Sequence, residues 1–498
     1  MSAPTTYKNA TKSSTPQPGN APLLERLFRL TEHRTTVRVE VMAGLTTFFA
    51  SVFTVLAIPG MMAGGAAAAV GDAYASAGIA NAVYIAAVLS SLLGSLLMAF
   101  LANLPFVQAP GMGLGSYLAF TVMPAIGVLA APDTLSAAQV YQMALALVFV
   151  SGALFVLLSA TGVRQRIIDG IPHNIKVALG TGIGLFVTLL GLRQAGITVG
   201  SAGTFVTLVD FSAWNGGDDA ARTLALGAVV AIAGFLVMAV LHARQVKGAI
   251  LLGIVVTTAL AYLTGHTRLP EGFGFDVAGQ WSDFATYSLF TLDFATFGRL
   301  GNLGHVLATA LAMVLAHTLV NSLDSLGTIF GVASAAGMVD KRGNVVGLEK
   351  GLLSDAIGTA GGALLGSSST ATVVSSASGI NAGGRTGLTA LVTSGMFALA
   401  LVAAPLVPLI PVVATAPALI FVGCLMMTQV KDVDFRDVTE GVPAFLAIAI
   451  MPLTFSIANG IAFALISYVV LKAATGRHRE IRWPAAAIAA LFVLQFLV

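Results

Sequence analysis

Asp324 is the one carboxylate in the middle of the apolar stretch 305–332, because Asp340 and Glu349 fall in the basic connection that follows. An acid at bilayer depth is costly and by default marks a substrate or proton path. Asp324 is therefore read as the group that takes up and releases a coupling proton; the competing reading is a structural acid bonded to a neighbouring Ser or Thr. His317 stands seven residues earlier, two turns back on nearly the same helical face. It is either a second member of the proton path or an interior histidine whose bonds are satisfied. The run Ser367-Ser368-Ser369-Thr370-Ala371-Thr372, continued by Ser375-Ser376, brings hydroxyls to membrane depth. No metal site is expected, since the seven histidines are scattered and no two share a helical face. The single cysteine, Cys424, excludes a disulfide scaffold and a thiolate cluster. No nucleophile–base pair and no phosphate-cradling loop stands out, so neither an enzyme nor a cofactor is expected.

The frame that must position these residues is a membrane. Of 498 residues, 57% are apolar and 9% charged, against about 25% charged in soluble domains. That deficit excludes an ordinary cytosolic enzyme. A formal charge of only +3 argues against nucleic acid or any strongly acidic partner. Stretches long enough to approach a bilayer crossing lie at about 41–60, 79–101, 112–126, 140–160, 172–193, 223–241, 248–264, 305–332, 351–366, 372–384, 386–404 and 410–428. Residues 442–471 are expected to cross twice, as two short helices turning at Asn459-Gly460, which makes fourteen segments. The final 485–498 is too short to span comfortably and is expected to be peripheral. Residues 1–22 read as a disordered cytoplasmic leader. Arg26, Arg29, Arg34 and Arg38 before segment one, Arg164 and Arg166 after four, Arg244 and Lys247 after six, and Lys341, Arg342 and Lys350 after eight all obey a positive-inside arrangement with the N-terminus cytoplasmic. The connection 265–304, richer in acids than in bases, is expected outside.

Two segments are unlike lipid-facing helices. Leu104-Pro105-Phe106-Val107-Gln108-Ala109-Pro110-Gly111-Met112-Gly113-Leu114-Gly115 sets two prolines and three glycines at membrane depth, and Gly366–Ser376 is polar throughout most of its length. Extended backbone leaves amides unsatisfied, tolerable in a bilayer only inside protein or beside a wet cavity. Each piece should lead into a short helix whose N-terminus carries partial positive charge. The breaks fall in segments three and ten, matched positions of two seven-segment halves. Paired interruptions of this kind point to a carrier site at the midplane between inverted repeats. Close packing of small residues accounts for most of the 54 glycines but not for two prolines beside three glycines.

Several stretches then resemble one known family: Leu104–Val122, Ile171-Pro172-His173-Asn174-Ile175-Lys176 through Gly191-Leu192, Asp324-Ser325-Leu326-Gly327-Thr328, Gly331-Val332-Ala333-Ser334, Gly383-Gly384-Arg385-Thr386-Gly387-Leu388-Thr389-Ala390 and Ser456–Ile461. Together they resemble the adenine–guanine–hypoxanthine permease branch of the nucleobase–ascorbate transporters, from about residue 22 to 472. The resemblance implies an all-α polytopic protein with fourteen segments in two inverted seven-helix repeats. Segments 1–4 and 8–11 (residues 23–160 and 305–404) would form a mobile core. Segments 5–7 and 12–14 (161–304 and 405–472) would form a gate that dimerises, followed by a basic loop and peripheral helix at 473–498. It further implies proton-coupled, elevator-type uptake of a small purine through a bacterial inner membrane, with lipid as the remaining partner.

The same resemblance exposes departures. Where the family's tenth segment reads Thr-Tyr-Val-Glu-Ser and its Glu holds the purine, this chain has Thr372-Val373-Val374-Ser375-Ser376. The Asn after Gly-Met-Gly-Leu is Gly115, the first acid of segment eight is Asn321, and a Tyr in segment one is Phe53. By transfer, the substrate-binding set is Ser375, Ser376, Asp324, Gly113, Gly115, Phe53, Val373 and Asn321. Two substrates are weighed. One is a purine or close analogue, on the strength of the scaffold. The other is a small carboxylate or dicarboxylate, because exchanging the family's Glu for Ser375 removes a negative charge beside a helix N-terminus.

Overall fold

The computed structural model describes residues 23–71, 77–130, 135–161, 170–201, 204–215, 218–246, 248–268, 276–300, 303–335, 338 and 347–497. The leader 1–22 and the basic residues Arg164, Arg166, Lys247, Lys341 and Arg342 lie outside them. The protein is an all-α polytopic membrane protein, and ten of the described helices are long and apolar enough to cross a bilayer. In chain order the helices are α1 (Leu23–Phe28), α2 (Val37–Ser51), α3 (Phe53–Val70), α4 (Ala77–Leu97), α5 (Met112–Tyr117), α6 (Met123–Ala130), α7 (Ala137–Ala160), α8 (His173–Gln194), α9 (Asp219–Ala243), α10 (Ala249–Leu263), α11 (Val277–Tyr287), α12 (Leu303–Ala335), α13 (Leu348–Leu365), α14 (Ser376–Asn381), α15 (Gly387–Ala400), α16 (Val412–Met427), α17 (Val438–Leu453), α18 (Ile457–Ala474) and α19 (Trp483–Leu497). Among the described residues there are also four short strands: β1 (Gln108–Pro110), β2 (Thr198–Ser201), β3 (Phe205–Leu208) and β4 (Thr370–Thr372).

Helix starts follow from local chemistry. Ser136 and Gln139 form a reciprocal capping box at α7, and Asp218 accepts from Ala221 N at 2.7 Å to begin α9. The same chemistry corrects one expectation. The stretch 442–471 does split in two, but not at Asn459-Gly460. Ser456 accepts from Asn459 N at 3.2 Å and caps α18, so Asn459 and Gly460 lie inside its first turn. The chain reverses at Thr454–Ser456 instead, where Phe455 adopts φ 50°. The connection 265–304 has structure of its own. It contains α11, which packs on α4 and is tied to it by Asn81 Nδ2 donating to Asp283 Oδ2 at 2.9 Å.

The helices pack in two neighbourhoods. In one, α13 lies against α4 and α7, and α15 against α2 and α4; in the other, α8 lies against α16 and α17, with α9 and α10 beside α16. The terminal helix α19 packs on α18, with Phe496 against Phe463 at 6.0 Å between ring centroids. Lys472, at the end of α18, is buried and meets Glu480 at 2.6 Å, Glu440 at 2.9 Å and Asp437 at 3.8 Å. Arg477 joins the cluster through Asp437 and Glu480. Arg477 holds the Asp437 carboxyl well below the usual range, and the hydrogen bond from Lys472 lowers that of Glu480.

A buried acid joins α2 to α15. Glu40 is fully buried and accepts from Arg385 N (2.9 Å), Thr386 N (3.3 Å), Thr389 N (3.2 Å) and Thr389 Oγ1 (2.5 Å). These donors sit at the N-terminus of α15, where a carboxylate is favoured. The arrangement gives Gly383–Thr389 its job: Arg385 turns away and donates from its guanidinium to Ile380 O and Gly384 O, both at 2.7 Å. Glu40→Ala is expected to strand two or three buried donors at about 1–3 kcal/mol each. The checking measurement is thermal melting of the detergent-purified variant. A midpoint within a degree or two of the parent's would mean that the pin carries no stability.

Candidate functional site

Segments three and ten meet. β1 and β4 pair antiparallel, with Gln108 opposite Thr372, Ala109 opposite Ala371 and Pro110 opposite Thr370. Every residue of both strands is buried, so the extended backbone that the prolines force out of helix finds its hydrogen bonds in the other half of the chain. Gly111 N extends the ladder by donating to Ser369 O at 3.1 Å, and Val373 N donates to Val107 O at 3.2 Å. Because the strands are antiparallel, α5 and α14 leave the ladder at opposite ends, each starting where its strand stops. After α5 the helix widens into a π turn at Leu118–Val122, and Thr121 there donates to Phe455 O at 2.8 Å, bridging to the α17–α18 turn.

The expected site residues divide by what their polar atoms do. Ser375, at the start of α14, is partly exposed as a residue, while its Oγ is buried with no hydrogen-bond partner. Val373 is partly buried beside it, and Val374 is 58% exposed. Ser376 differs. Its Oγ accepts from Val107 N at 3.1 Å, which ties it to the crossing, and donates to Val373 O at 2.7 Å, which closes the local turn, so its one proton is already used. Gly113 and Gly115 are points of close packing on α5. A Cβ at Gly113 would come within 2.6 Å of Ile183 Cγ2 on α8, and one at Gly115 would collide with Ile58 Cδ1, with Ser368 Oγ 3.6 Å away. Phe53 is buried at the start of α3.

On α12, Asn321 is fully buried. Its Nδ2 donates to Thr359 Oγ1 at 2.9 Å, and Thr359 Oγ1 donates on to Thr370 O at 3.0 Å. One hydrogen-bonded line therefore runs from α12 through α13 to the ladder. Asp324 lies one turn further along α12 and is partly buried. His317 is 3% exposed. Its Nδ1 lies 2.8 Å from Ser151 Oγ on α7, and the Tyr117 ring of α5 lies alongside at 6.3 Å between centroids.

Asp355 was not anticipated. It is fully buried, and its Oδ1 accepts from Thr372 Oγ1 at 2.7 Å, so it holds β4 from behind. The signal was available, since Asp355 interrupts the apolar stretch 351–366 much as Asp324 interrupts 305–332. Gln108 was also passed over. Its amide is fully buried, neither polar atom has a hydrogen-bond partner, and its head fits where Gly94 and Gly358 carry no side chain.

Comparison with known proteins gives the family and the fold. The profile described as "Permease family" matches residues 38–463. The guanine/hypoxanthine permease PbuO of Bacillus subtilis is 36% identical over 475 residues, covering 95% of this chain and all of the relative. The adenine permease AdeQ of Escherichia coli is 34% identical over 477 residues, covering 95% and 96%. Among solved structures, the transmembrane domain of the cyanobacterial bicarbonate transporter BicA superposes with a TM-score of 0.57 at 15% identity, covering 85% of this chain and 97% of that one. The murine Slc26a9 anion transporter in its inward-facing state gives 0.58 at 12% identity, covering 94% and 74%. At such identities these two share the fold alone.

Proposed function

The chain belongs to this permease family, in its nucleobase permease branch, and on that premise we propose that it carries a purine base or close analogue into the cell together with a proton. The observation that carries the reading is the buried β1–β4 crossing, in a chain similar over nearly its whole length to permeases named for adenine and for guanine and hypoxanthine. A crossing of two broken helices near the midplane is where inverted-repeat carriers hold their cargo. Ser375, Val373, Gly113, Gly115 and Phe53 would frame the ligand, with Asn321 fixing α12 against the ladder. Asp324 would take up the proton. Ser376 is assigned a clamping role instead of ligand contact.

The proposed topology is fourteen crossings in two inverted repeats, with the N-terminus and the loop 472–482 on the cytoplasmic side of a bacterial inner membrane. The helices packed around α13 and α15 would slide as a core past the helices packed around α8. The latter would form the dimer contact. Thr121 donating to Phe455 O would be one bond remade in each stroke.

A second reading, carriage of a small carboxylate or dicarboxylate, is favoured by one observation only: the ligand-facing position of segment ten offers an unpartnered hydroxyl, Ser375 Oγ, and no acid. A thermal-shift screen of the purified protein against purines, pyrimidines and organic acids separates the two. A true ligand at a hundredfold excess over its dissociation constant stabilises by about 2.7 kcal/mol. Adenine, guanine or hypoxanthine is expected to raise the melting midpoint. A rise with an organic acid and none with any purine would overturn the proposal.

A further inference from the structure

His317 sits at the end of a short chain of hydrogen bonds whose protons can be counted. Val314 O lies 2.7 Å from Thr318 Oγ1, Thr318 Oγ1 lies 2.8 Å from Ser151 Oγ, and Ser151 Oγ lies 2.8 Å from His317 Nδ1. Three links need three protons. A carbonyl oxygen can only accept, so the Thr318 hydroxyl proton fills the first link. The Ser151 proton must then fill the second, because Thr318 has no other to give. The third can be filled only by a proton on His317 Nδ1. A neutral imidazole with its proton on Nδ1 carries a bare lone pair on Nε2.

That Nε2 is buried and has no hydrogen-bond partner. It lies on the far edge of the ring from Nδ1, and so points away from Ser151 and α7. The ring borders Tyr117 of α5, and α12 meets both α5 and β4, the elements of the crossing. An unsatisfied buried acceptor is destabilising, and a ligand donor would remove that cost. We infer that His317 is a specificity residue, which accepts a hydrogen bond at Nε2 from an N–H of the substrate. The inference rests on the purine reading and deepens it. A purine brings ring N–H donors, whereas a carboxylate would set its own lone pairs against this one. The Ser151–Thr318 chain makes the preference a fixed feature, since reversing the ring's tautomer would leave two oxygens at hydrogen-bond distance with no proton between them.

The test has a spectroscopic arm and a binding arm. In lipid-reconstituted protein labelled with 15N-histidine, the resonances that vanish in His317→Asn belong to His317. The expected pattern is a protonated Nδ1 and a pyridine-type Nε2. The opposite pattern overturns the inference whatever the protein transports. For binding, Asn places an amide N–H where Nδ1–H was and nothing where Nε2 was, while Gln can present its oxygen near the Nε2 position. His317→Asn is expected to weaken the tightest-binding purine about tenfold, the value of one such bond, and His317→Gln to recover most of that loss. Methylating the responsible ring nitrogen of the purine should weaken binding to the parent protein and make no further difference in His317→Asn. Parent-like affinity in His317→Asn, or additive losses from the two changes, overturns the inference. If the parent binds no purine at all, the functional reading and the substrate half of this inference fall together, while the nitrogen resonances still decide the tautomer.

Discussion

Ser375→Glu is expected to raise affinity for a purine and, were the cargo an organic anion, to lower affinity for it by about a thousandfold. The new carboxylate would stand at the start of α14, where the resembled family presents a Glu to its base, and would accept from ring N–H groups. Against an anion the same carboxylate repels. Two like charges about 4 Å apart cost roughly 4 kcal/mol at an effective dielectric of 20, close to three decades in affinity before the new side chain relaxes or takes a proton. Ser375→Ala is the control, since it removes an unpartnered hydroxyl without adding charge and should cost about 1 kcal/mol if a ligand bond is lost. Equilibrium binding by isothermal titration decides the sign. Affinity unchanged for every ligand tested would place Ser375 outside the pocket.

Asp324→Asn is expected to abolish uphill accumulation while leaving exchange. The amide keeps the shape of the side chain and most of its hydrogen-bonding capacity, but cannot bind and release a proton. Because shape and hydrogen bonding are kept, binding should survive. In proteoliposomes, uptake driven by an inward proton gradient should fall to the level of equilibration, and counterflow of labelled substrate should persist. Uptake by the parent is expected to rise as external pH falls, and that rise should be absent from the variant. Uphill uptake at the parental rate, with the parental pH dependence, would make Asp324 a structural acid.

The sequence announced its helices and its two breaks because both are local properties. Apolar runs make the first, and prolines at 105 and 110 or a hydroxyl run at 367–372 make the second. What it withheld is long-range. Nothing near Gln108 names Thr372 as its partner, and nothing near Ser376 names Val107, whose N–H donates to its Oγ from 269 residues away. Glu40 was hidden by its surroundings. Among Arg34, Arg38 and the first apolar residues it reads as an interfacial charge, and only the N-terminus of α15, folded in from far along the chain, explains its burial. The turn between α17 and α18 was misplaced because Asn-Gly is a strong turn signal that a Ser cap three residues earlier outweighs. Asp355 is a different kind of miss, an acid in an apolar run that the rule applied to Asp324 would also have flagged.

The β1–β4 ladder also sets a schedule for assembly. Its two strands are about 260 residues apart, so at roughly 5–20 residues per second of synthesis β1 waits about 15–50 s for its partner. Until then the first half-protein holds an extended Gln108–Pro110 whose amides have no strand to meet, in surroundings where such groups cost several kcal/mol each. The nascent half must therefore keep β1 wet or sheltered by the insertion machinery. Pairing becomes possible only when Thr370–Thr372 arrives, with α14–α19 still to follow. Slowing translation between α12 and α13 would lengthen the exposure of β1 without altering a single residue of the finished carrier, and so would lower its yield but leave the activity of each surviving molecule intact.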